Sequence, residues 1–271
     1  MDYQELKKIN NQIRVDIINM LAHSKSGHPG GSLSCVEIIS TLYYRVMKVD
    51  PANPQWNERD RFVLSKGHAA PTLYAVLASR GFFPKDELYT LRKYGSRLQG
   101  HPDSKKTPGV DASTGSLGQG SSVAVGMALG AKHQKLGFRV FALLGDGEMQ
   151  EGQVWEASMA AAHYKLDNLT FILDYNGLQI DGSNEQVMSL GDISGKMRAY
   201  GFKVIQVDGH DVTALEEAFQ APCVGQPKFV IAKTTKGKGV SFMEGQVGWH
   251  GKAPNDAEIN QALKELGGTR K

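Results

Sequence analysis

The sequence has few of the features that mark secreted, membrane-spanning or nucleic-acid-binding proteins. It contains only two cysteines, Cys35 and Cys223, which are too few for a disulfide framework and favour a reducing compartment. No apolar run approaches the roughly 20 residues that a membrane-spanning helix needs, and the N-terminus is too acidic and polar for a signal peptide. The net charge is only +3 and the basic residues are dispersed, which argues against a nucleic-acid surface. We therefore expect a cytoplasmic enzyme or enzyme subunit that contacts neither nucleic acid nor membrane.

What the sequence does contain is a regular alternation of strand patterns and helix patterns, without an internal repeat or a clear linker. This alternation predicts an α/β fold, in which helices cover both faces of an open, mostly parallel sheet. One domain over residues 1–271 is the simplest organisation. The predicted strands are five short apolar runs at residues 61–65, 139–144, 169–175, 203–207 and 228–234.

The sequence also predicts several helix boundaries. Two capping boxes, Ser34 to Glu37 and Thr213 to Glu216, indicate where two helices begin. Residues 25–32 are expected to form a loop because they are rich in glycine and proline. Residues 85–94 are expected to be helical by composition, and the tail from Gly267 is expected to be frayed.

The segment Gly145-Asp146-Gly147 follows the second predicted strand and precedes a helix-forming run. Asp146 and Asn176 then both lie at the carboxyl ends of strands, where open α/β sheets bind ligands. Carboxylate, amide and carbonyl oxygens suit a divalent ion such as Mg²⁺, which also takes oxygens from a bound phosphate. The plainer alternative is a glycine turn in which Asp146 caps the helix, but the spacing to Asn176 favours a cofactor site.

Four of the eight histidines lie in loops where a glycine is adjacent: His28, His68, His101 and His250. Glycine allows the backbone to approach a ligand closely, and histidine can transfer protons near neutral pH. Histidines at helix termini in turns are an equally good interpretation of the spacing alone. The residues by themselves therefore leave a catalytic and a structural role open.

The GDG segment, with Asn176 about thirty residues later, resembles the diphosphate-binding motif of thiamine diphosphate enzymes. Together with five other segments it resembles the motifs of transketolases, in transketolase order, over residues 1 to about 255. The five segments are SGHPG at 26–30, DRFVLSKGH at 60–68, GHP at 100–102, TGSLGQG at 114–120 and WHGK at 249–252.

This resemblance implies a thiamine diphosphate-binding fold and a role for each matching residue. Asp146, Asn176 and the carbonyl group of Leu178 would hold Mg²⁺ or Ca²⁺. His28, His68, His101 and His250 would be catalytic, and Glu151 would be a buried carboxylate at a subunit interface. The ketose donor would contact His28, His101, His250 and Lys252. The thiamine diphosphate would contact Lys66, His68, Gly115, Ser116, Leu117, Gly147, Glu148, Asn176, Lys236 and His250.

The chain corresponds only to the diphosphate-binding domain of transketolases. In that family a Glu from a second, pyrimidine-binding domain activates the cofactor across a subunit interface, and no residue here matches it. The resemblance therefore implies that the partner is a C-terminal transketolase subunit, in a two-fold assembly with two of each chain, acting on sugar phosphates. A truncated chain is the alternative, and the natural-looking termini favour a split enzyme. Gly30-Gly31 departs from the family, in which many members carry a hydroxyl residue, and this puts the usual donor in doubt.

Other functions share parts of this pattern. A specialised sugar transketolase, a dihydroxyacetone synthase or a deoxyxylulose-phosphate synthase is built on the same domain. The α subunit of a 2-oxoacid dehydrogenase carries the GDG and Asn pattern, but the set of four histidines argues against it. A catalytically silent paralogue is the non-enzymatic alternative, and the intact metal ligands and histidines argue against it.

Overall fold

The computed structural model describes residues 2–271, and its centre is a five-stranded sheet. All neighbouring strands are parallel, and their order across the sheet is β1-β2-β3-β5-β4. The strands are β1 Arg61–Leu64, β2 Val140–Gly145, β3 Leu169–Tyr175, β4 Lys203–Asp208 and β5 Lys228–Lys233. Every predicted strand is present, which confirms that part of the sequence analysis.

Ten α-helices lie within the described residues and alternate with the strands. They are α1 Tyr3–Ser24, α2 Pro29–Ser34, α3 Val36–Thr41, α4 Ala70–Arg80, α5 Gln119–His133, α6 Gly152–His163, α7 Asn184–Val187, α8 Ile193–Ala199, α9 Val212–Gln220 and α10 Asp256–Glu265. Four 3₁₀ turns also occur, at Gly67–Ala69, Lys85–Thr90, Gly147–Gln150 and Val247–Trp249, and a π-helical turn at Leu42–Val46. Across residues 2–271, we find no helix that combines the length and the apolar character needed to cross a bilayer.

Both faces of the sheet are buried, as the side chains of β2 show. Phe141 and Leu143 pack into one apolar cluster, with residues of α1, α3, α4, α9 and α10. Val140, Ala142 and Leu144 point the other way, into a second cluster with residues of α5, α6 and α8. Successive residues of a strand face opposite sides, so a strand buried on both faces is apolar throughout. This arrangement confirms the predicted parallel α/β sheet covered on both faces.

The capping box predicted at Ser34 is wrong, because a helix begins earlier. Pro29 opens α2, a first-turn position that suits proline because its nitrogen needs no hydrogen bond there. Ser34 ends that helix, and its hydroxyl donates to Asp174 Oδ2 at 2.6 Å. The next helix, α3, begins at Val36 without a side-chain cap. The loop predicted at residues 25–32 is therefore correct only before Pro29.

Three other boundaries differ from the sequence analysis. Asp211, rather than Thr213, caps α9 by accepting hydrogen bonds from the next residues' amides. The segment predicted as helical at 85–94 forms only a 3₁₀ turn that ends at Thr90. The C-terminal tail is packed and not frayed: the Asn19 side chain donates to Thr269 O and accepts from Lys271 N.

Candidate active site

The predicted site residues meet at the edge of the sheet where the strands end. Because the strands are parallel, their carboxyl ends lie side by side. Lys66 follows β1, Asp146 follows β2, Asn176 follows β3 and Lys236 lies in the loop after β5. These residues line one cavity of about 240 Å³ together with Gly31, His68, Leu117, Gly145, Gly147, Glu148, Gln150, Leu178, Gln179, Ile180, Asp181, Val187 and His250.

Asp146 provides a buried carboxylate without a cationic partner among the described residues. Its oxygens accept hydrogen bonds from Gly147 N at 3.0 Å, Gly177 N at 2.7 Å and Asn184 Nδ2 at 3.2 Å. Burial, and then the negative charge of Asp174, raises the pKa of Asp146. A cation bound at this carboxylate would remove that penalty, since a nearby positive charge favours the ionised form.

Asn176 and Leu178 lie in the cavity beside Asp146 and add two neutral oxygens. Asn176 Oδ1 accepts from the amide of Leu178 at 3.2 Å, which fixes the turn that brings the Leu178 carbonyl toward the same space. The described residues contain no group of three or more His, Cys, Asp or Glu side chains that could hold a metal by themselves. A carboxylate, an amide oxygen and a carbonyl are nevertheless hard ligands of the kind that Mg²⁺ or Ca²⁺ uses.

Below the cavity, Lys66 and Asp174 form a fully buried ion pair with 2.5 Å between Nζ and Oδ2. Asp174 also accepts hydrogen bonds from the hydroxyls of Ser34 and Thr234, and Lys66 donates to Gly31 O at 2.9 Å. Burial alone would raise the pKa of Asp174, but the charge of Lys66 together with the hydrogen bonds from Lys66, Ser34 and Thr234 outweighs it and lowers that pKa. The pair therefore joins α2 to the ends of β1, β3 and β5.

Lys236 is a buried cation without a carboxylate partner in the described part of the chain. Its Nζ lies 3.4 Å from the carbonyl oxygens of Leu178 and Gln179 and 3.2 Å from His250 Nδ1. Burial, followed by the nearby charge of Lys66, lowers the pKa of Lys236 to about 8. The cavity thus holds one cation, Lys236, and one carboxylate, Asp146, neither of which forms an ion pair with another described residue. A divalent cation carrying a diphosphate would balance both of these charges.

The four predicted histidines, which come from four separate loops, form one cluster. The ring centroid of His28 lies 5.3 Å from that of His68, 5.5 Å from that of His250 and 6.4 Å from that of His101. The rings of His68 and His250 are 5.2 Å apart. The Nδ1 atom of His28 is buried without a hydrogen-bond partner among the described residues. This convergence favours a role in the site over four independent turn histidines.

All four imidazoles are held in the neutral form. Burial, followed by the charge of Arg92, lowers the pKa of His28 to about 4. Burial, followed by the charge of Lys236, lowers the pKa of His250 to about 4. The pKa values of His68 and His101 are also lowered, again chiefly by burial. A neutral imidazole has one nitrogen that donates and one that accepts, so the cluster can both bind hydroxyl groups and accept protons.

The glycines that depart from the family pattern have a steric explanation. A Cβ atom at Gly30 would lie 2.9 Å from Lys236 Cγ and equally close to the carbonyl oxygen of Trp249. A Cβ atom at Gly31 would lie 3.2 Å from His68 Nε2. In this chain the two glycines therefore allow Lys236 and His68 to pack against α2.

Among the predicted site residues, Glu148 lines the cavity with a carboxylate that is already hydrogen-bonded, whereas Lys252 and Glu151 are not part of the lining. Glu148 is buried and already accepts from Ser65 Oγ, Gly118 N and Gly145 N, so its carboxylate braces the site. Lys252 pairs with Glu258 at 3.0 Å and its side chain is largely exposed. Glu151 is exposed in the isolated chain, and not buried.

The loop before α5 is placed only partly in the cavity. Leu117 lines the cavity, whereas Ser116 is exposed. Gly115, with φ of 138°, lies so close to His101 that an added Cβ would be 2.9 Å from the ring. Gly115 therefore supports the position of His101. The contacts predicted between residues 115–117 and the cofactor remain predictions.

The sequence analysis missed some residues that shape the site. Asp174 is the partner of Lys66, and its position two residues before Asn176 on a buried strand was a usable signal. Arg92 influences His28 and His101 but lies in no recognised motif. Residues 179–181 line the cavity because the turn after Asn176 returns over it, and nothing in their sequence indicates this.

Comparisons with known proteins agree with this geometry. Residues 5–271 match a family profile described as the thiamine diphosphate binding domain of transketolase. The 6-deoxy-6-sulfo-D-fructose transketolase subunit SqwG of Clostridium sp. (strain MSTE9) is 44% identical over 97% of this chain and 96% of its own length. An apulose-4-phosphate transketolase subunit of Phocaeicola vulgatus is 40% identical over 98% of this chain and 95% of its own length.

Longer transketolases match over part of their length. Human transketolase is 43% identical over 97% of this chain but only 42% of its own length. The crystal structure of Campylobacter jejuni transketolase superposes with a TM-score of 0.93 at 35% identity, covering 99% of this chain and 43% of that one. Transketolase from Leishmania mexicana gives a TM-score of 0.92 at 34% identity, over 97% of this chain and 41% of that one. The chain thus spans about two fifths of these longer proteins.

The histidine cluster gives a prediction about pH. NMR titration of the cofactor-free chain should give pKa values of about 4 for His28 and His250. These values lie below the ordinary 6.5, so as the pH drops the two histidines are protonated in the unfolded chain before they are protonated in the folded chain. The free energy of unfolding therefore falls as the pH drops from 6.5 toward 4. This contribution should level off below pH 4. Ordinary pKa values for both rings would show that the cluster is open to solvent.

Proposed function

The chain belongs to the transketolase family, as its thiamine diphosphate-binding domain, and we propose that it is the N-terminal subunit of a two-chain transketolase. The enzyme would transfer a two-carbon ketol unit from a ketose phosphate to an aldose phosphate. The observation that carries this proposal is the cavity that unites Asp146, Asn176 and Lys236 with His68 and His250, two members of the cluster of four histidines.

In this proposal the cavity holds the diphosphate end of the cofactor. Asp146, Asn176 and the Leu178 carbonyl would bind Mg²⁺, and Lys236 and the backbone of Gly147 would bind the diphosphate. The opposite charges of Lys236 and Asp146, which form no ion pair within the described residues, support this, since buried charges need partners. When bound, thiamine diphosphate supplies the nucleophilic carbon that accepts the ketol unit.

The histidines would bind and deprotonate the sugar. Being neutral, His28, His101 and His250 can accept protons from hydroxyl groups and return them, which is general base and acid catalysis. The ring of His68 lies 5.3 Å from that of His28 and 5.2 Å from that of His250, so His68 would orient the cofactor and its neighbouring rings. His250 also contacts Lys236, which links the sugar side of the cavity to the diphosphate side.

The partner would be a C-terminal transketolase subunit that supplies the pyrimidine-binding domain and its Glu. Apolar side chains on α5 and α6 are exposed in the isolated chain: Val123 and Leu129 are 37–38% exposed, and Met159 is 52% exposed. Exposed apolar side chains on two helices in contact with each other support a protein interface on this face. The exposed Glu151 lies at the start of α6, where a partner would bury it. In a two-fold assembly with two copies of each chain, Glu151 would lie at the interface with that partner.

The sugar remains to be assigned by experiment. Two relatives of nearly the same length are named for unusual sugars, a sulfofructose and apulose 4-phosphate. We therefore propose sugar phosphates or similar anionic ketoses as donors. A panel of donors, with and without a terminal phosphate or sulfonate, should be assayed with a single acceptor aldose to identify the preferred one.

The metal site can be tested by replacing Asp146. The Asp146→Ala variant should weaken Mg²⁺-dependent thiamine diphosphate binding by more than about 100-fold, since losing even an outer partner of a metal typically costs about 10- to 100-fold. Calorimetry measures this affinity directly. The Asp192→Ala variant, which removes the cap of α8 and does not line the cavity, is the matched control and should bind normally. Unchanged affinity in Asp146→Ala would contradict the metal assignment.

The role of the histidines can be tested separately from cofactor binding. The His101→Ala variant should bind the cofactor with normal affinity but lose turnover on the order of 100-fold, because it removes a group that contacts the sugar. Steady-state assays of the assembled enzyme measure this loss. Full activity in this variant would show that His101 is a structural residue.

The split-enzyme proposal is tested by mixing purified subunits. This chain alone should show no ketol transfer and only weak cofactor binding, because the pyrimidine end of the cofactor has no binding site on it. Activity should appear on addition of a C-terminal transketolase subunit and saturate near equimolar ratio, which a coupled assay and light scattering can follow. Full turnover by the isolated chain would refute the proposal.

A further inference from the structure

The loop that carries Lys236 is fixed by contacts along its backbone. The amide of Gly237 donates to Gly30 O at 3.0 Å, and Arg14 Nε donates to Lys238 O at 2.9 Å. The hydroxyl of Thr234 donates to Asp174. Lys236 itself is 2% exposed, and among the described residues no carboxylate holds its ammonium group in place. Its position in the cavity therefore depends on the backbone on either side of it.

Thr235, the residue before Lys236, is held by a histidine outside the cluster. The amide of Thr235 donates to His210 Nε2 at 2.9 Å. On the other side of the ring, His210 Nδ1 lies 2.9 Å from Glu37 Oε2. An amide N–H can only donate and a carboxylate can only accept, so Nδ1 carries the proton and Nε2 presents its lone pair. His210 is thus neutral with a single fixed tautomer.

Glu37 is itself immobilised. Arg14 Nη1 and Nη2 donate to its two oxygens at 2.7 Å and 2.8 Å, a two-point contact within the buried interior. Burial would raise the pKa of Glu37, but the hydrogen bond from His210 and the charge of Arg14 outweigh it and hold that pKa at about 2. The carboxylate is therefore ionised at neutral pH and fixes the ring of His210. Glu37 lies on α3, Arg14 on α1 and His210 after β4, so three elements converge on this loop.

We propose that His210 is a positioning residue for Lys236, acting through the Thr235 amide, and that the affinity for the cofactor's diphosphate depends on its Nε2 acceptor. The inference rests on the proposed function, since it assumes that Lys236 binds the diphosphate. Arg14 contributes twice, by holding Glu37 and by donating to the Lys238 carbonyl. Loss of the His210 acceptor would leave the half-buried Thr235 amide without this partner and free the loop to shift Lys236 away from its place in the cavity.

Two variants separate the two sides of the ring. The side chain of Asn in His210→Asn can still reach Glu37 but is too short to accept from Thr235. The amide of Gln in His210→Gln extends to the place of Nε2 and can accept that hydrogen bond. His210→Asn should weaken thiamine diphosphate binding by about tenfold, the lower end of the range typical for second-layer partners, whereas His210→Gln should stay within about threefold of wild type. Equal affinities of His210→Asn and wild type, or a His210→Gln variant as weak as His210→Asn, would overturn the proposal.

The measurement is a calorimetric titration of the full chain with thiamine diphosphate and Mg²⁺, repeated after assembly with the C-terminal subunit. Asn168→Ala is the control for general destabilisation. It removes a hydrogen bond to Ala128 O, remote from the cavity, and should lower the melting temperature without changing the affinity. If Asn168→Ala weakened cofactor binding as much as His210→Asn does, the specific role of His210 would be overturned.

A double-mutant cycle with Lys236→Met distinguishes this inference from the proposed function. If His210 acts through Lys236, the pair His210→Asn with Lys236→Met should bind no more weakly than Lys236→Met alone, within about twofold. If Lys236→Met leaves the affinity unchanged, the proposed diphosphate site fails. If Lys236→Met weakens binding but His210→Asn does not, only the positioning role fails.

The cofactor-free chain provides an independent readout. Long-range ¹H–¹⁵N NMR spectra at pH 7 should show His210 as the neutral form with its proton on Nδ1. Hydrogen exchange at the Thr235 amide should be about tenfold faster in His210→Asn than in wild type, because protection follows the hydrogen bond. A ring protonated on Nε2, or an unprotected Thr235 amide in wild type, would contradict the proposal even if the variants failed to fold.

Discussion

The site depends on one buried ion pair, that between Lys66 and Asp174. Both charged groups are removed from water. Asp174 accepts hydrogen bonds from Lys66, Ser34 and Thr234, and Lys66 also donates to the carbonyl oxygen of Gly31. A buried pair of this kind is strongly destabilised when one partner is lost, because the other charge remains without compensation. Its geometry therefore fixes how α2 and the ends of three strands lie relative to one another. The cavity, the ring of His68 and the loop of Lys236 all rest on those elements.

The parallel sheet explains how distant sequence segments form one site. Each strand delivers its following residues to the same edge, so Lys66, Asp146, Asn176 and Lys236 meet although about 170 residues separate the first from the last. The charges then divide into two groups. Lys66 and Asp174 form an ion pair within the protein, whereas Lys236 and Asp146 form none, and in the proposed function they bind the diphosphate and its metal. Burial meanwhile keeps the histidines neutral, which suits a cluster that binds hydroxyl groups and exchanges protons.

Much of the fold was predictable because its signals are local. Each strand is a short apolar run, and Asp146 and Asn176 follow such runs directly, so their proximity could be inferred before the structure. The gathering of the four histidines could not be inferred from spacing alone and came only from the family resemblance. Two of the errors share a physical cause, since they concern side chains whose partners are remote in sequence. Ser34 matched a capping box but bonds to Asp174, and the tail looked free but is held by Asn19. No periodic pattern in the sequence predicts that the amide of Thr235 donates to His210 Nε2.

The dependence of the site on the Lys66–Asp174 pair is tested most directly by equilibrium unfolding in urea at pH 7. The Asp174→Asn variant removes one charge without changing the shape of the side chain. It should lower the free energy of unfolding by about 3–5 kcal/mol, and adding Lys66→Met should restore most of that loss because the uncompensated charge is then gone. An Asp174→Asn variant within about 0.5 kcal/mol of wild type would contradict the view that this pair organises the strand ends and the site above them.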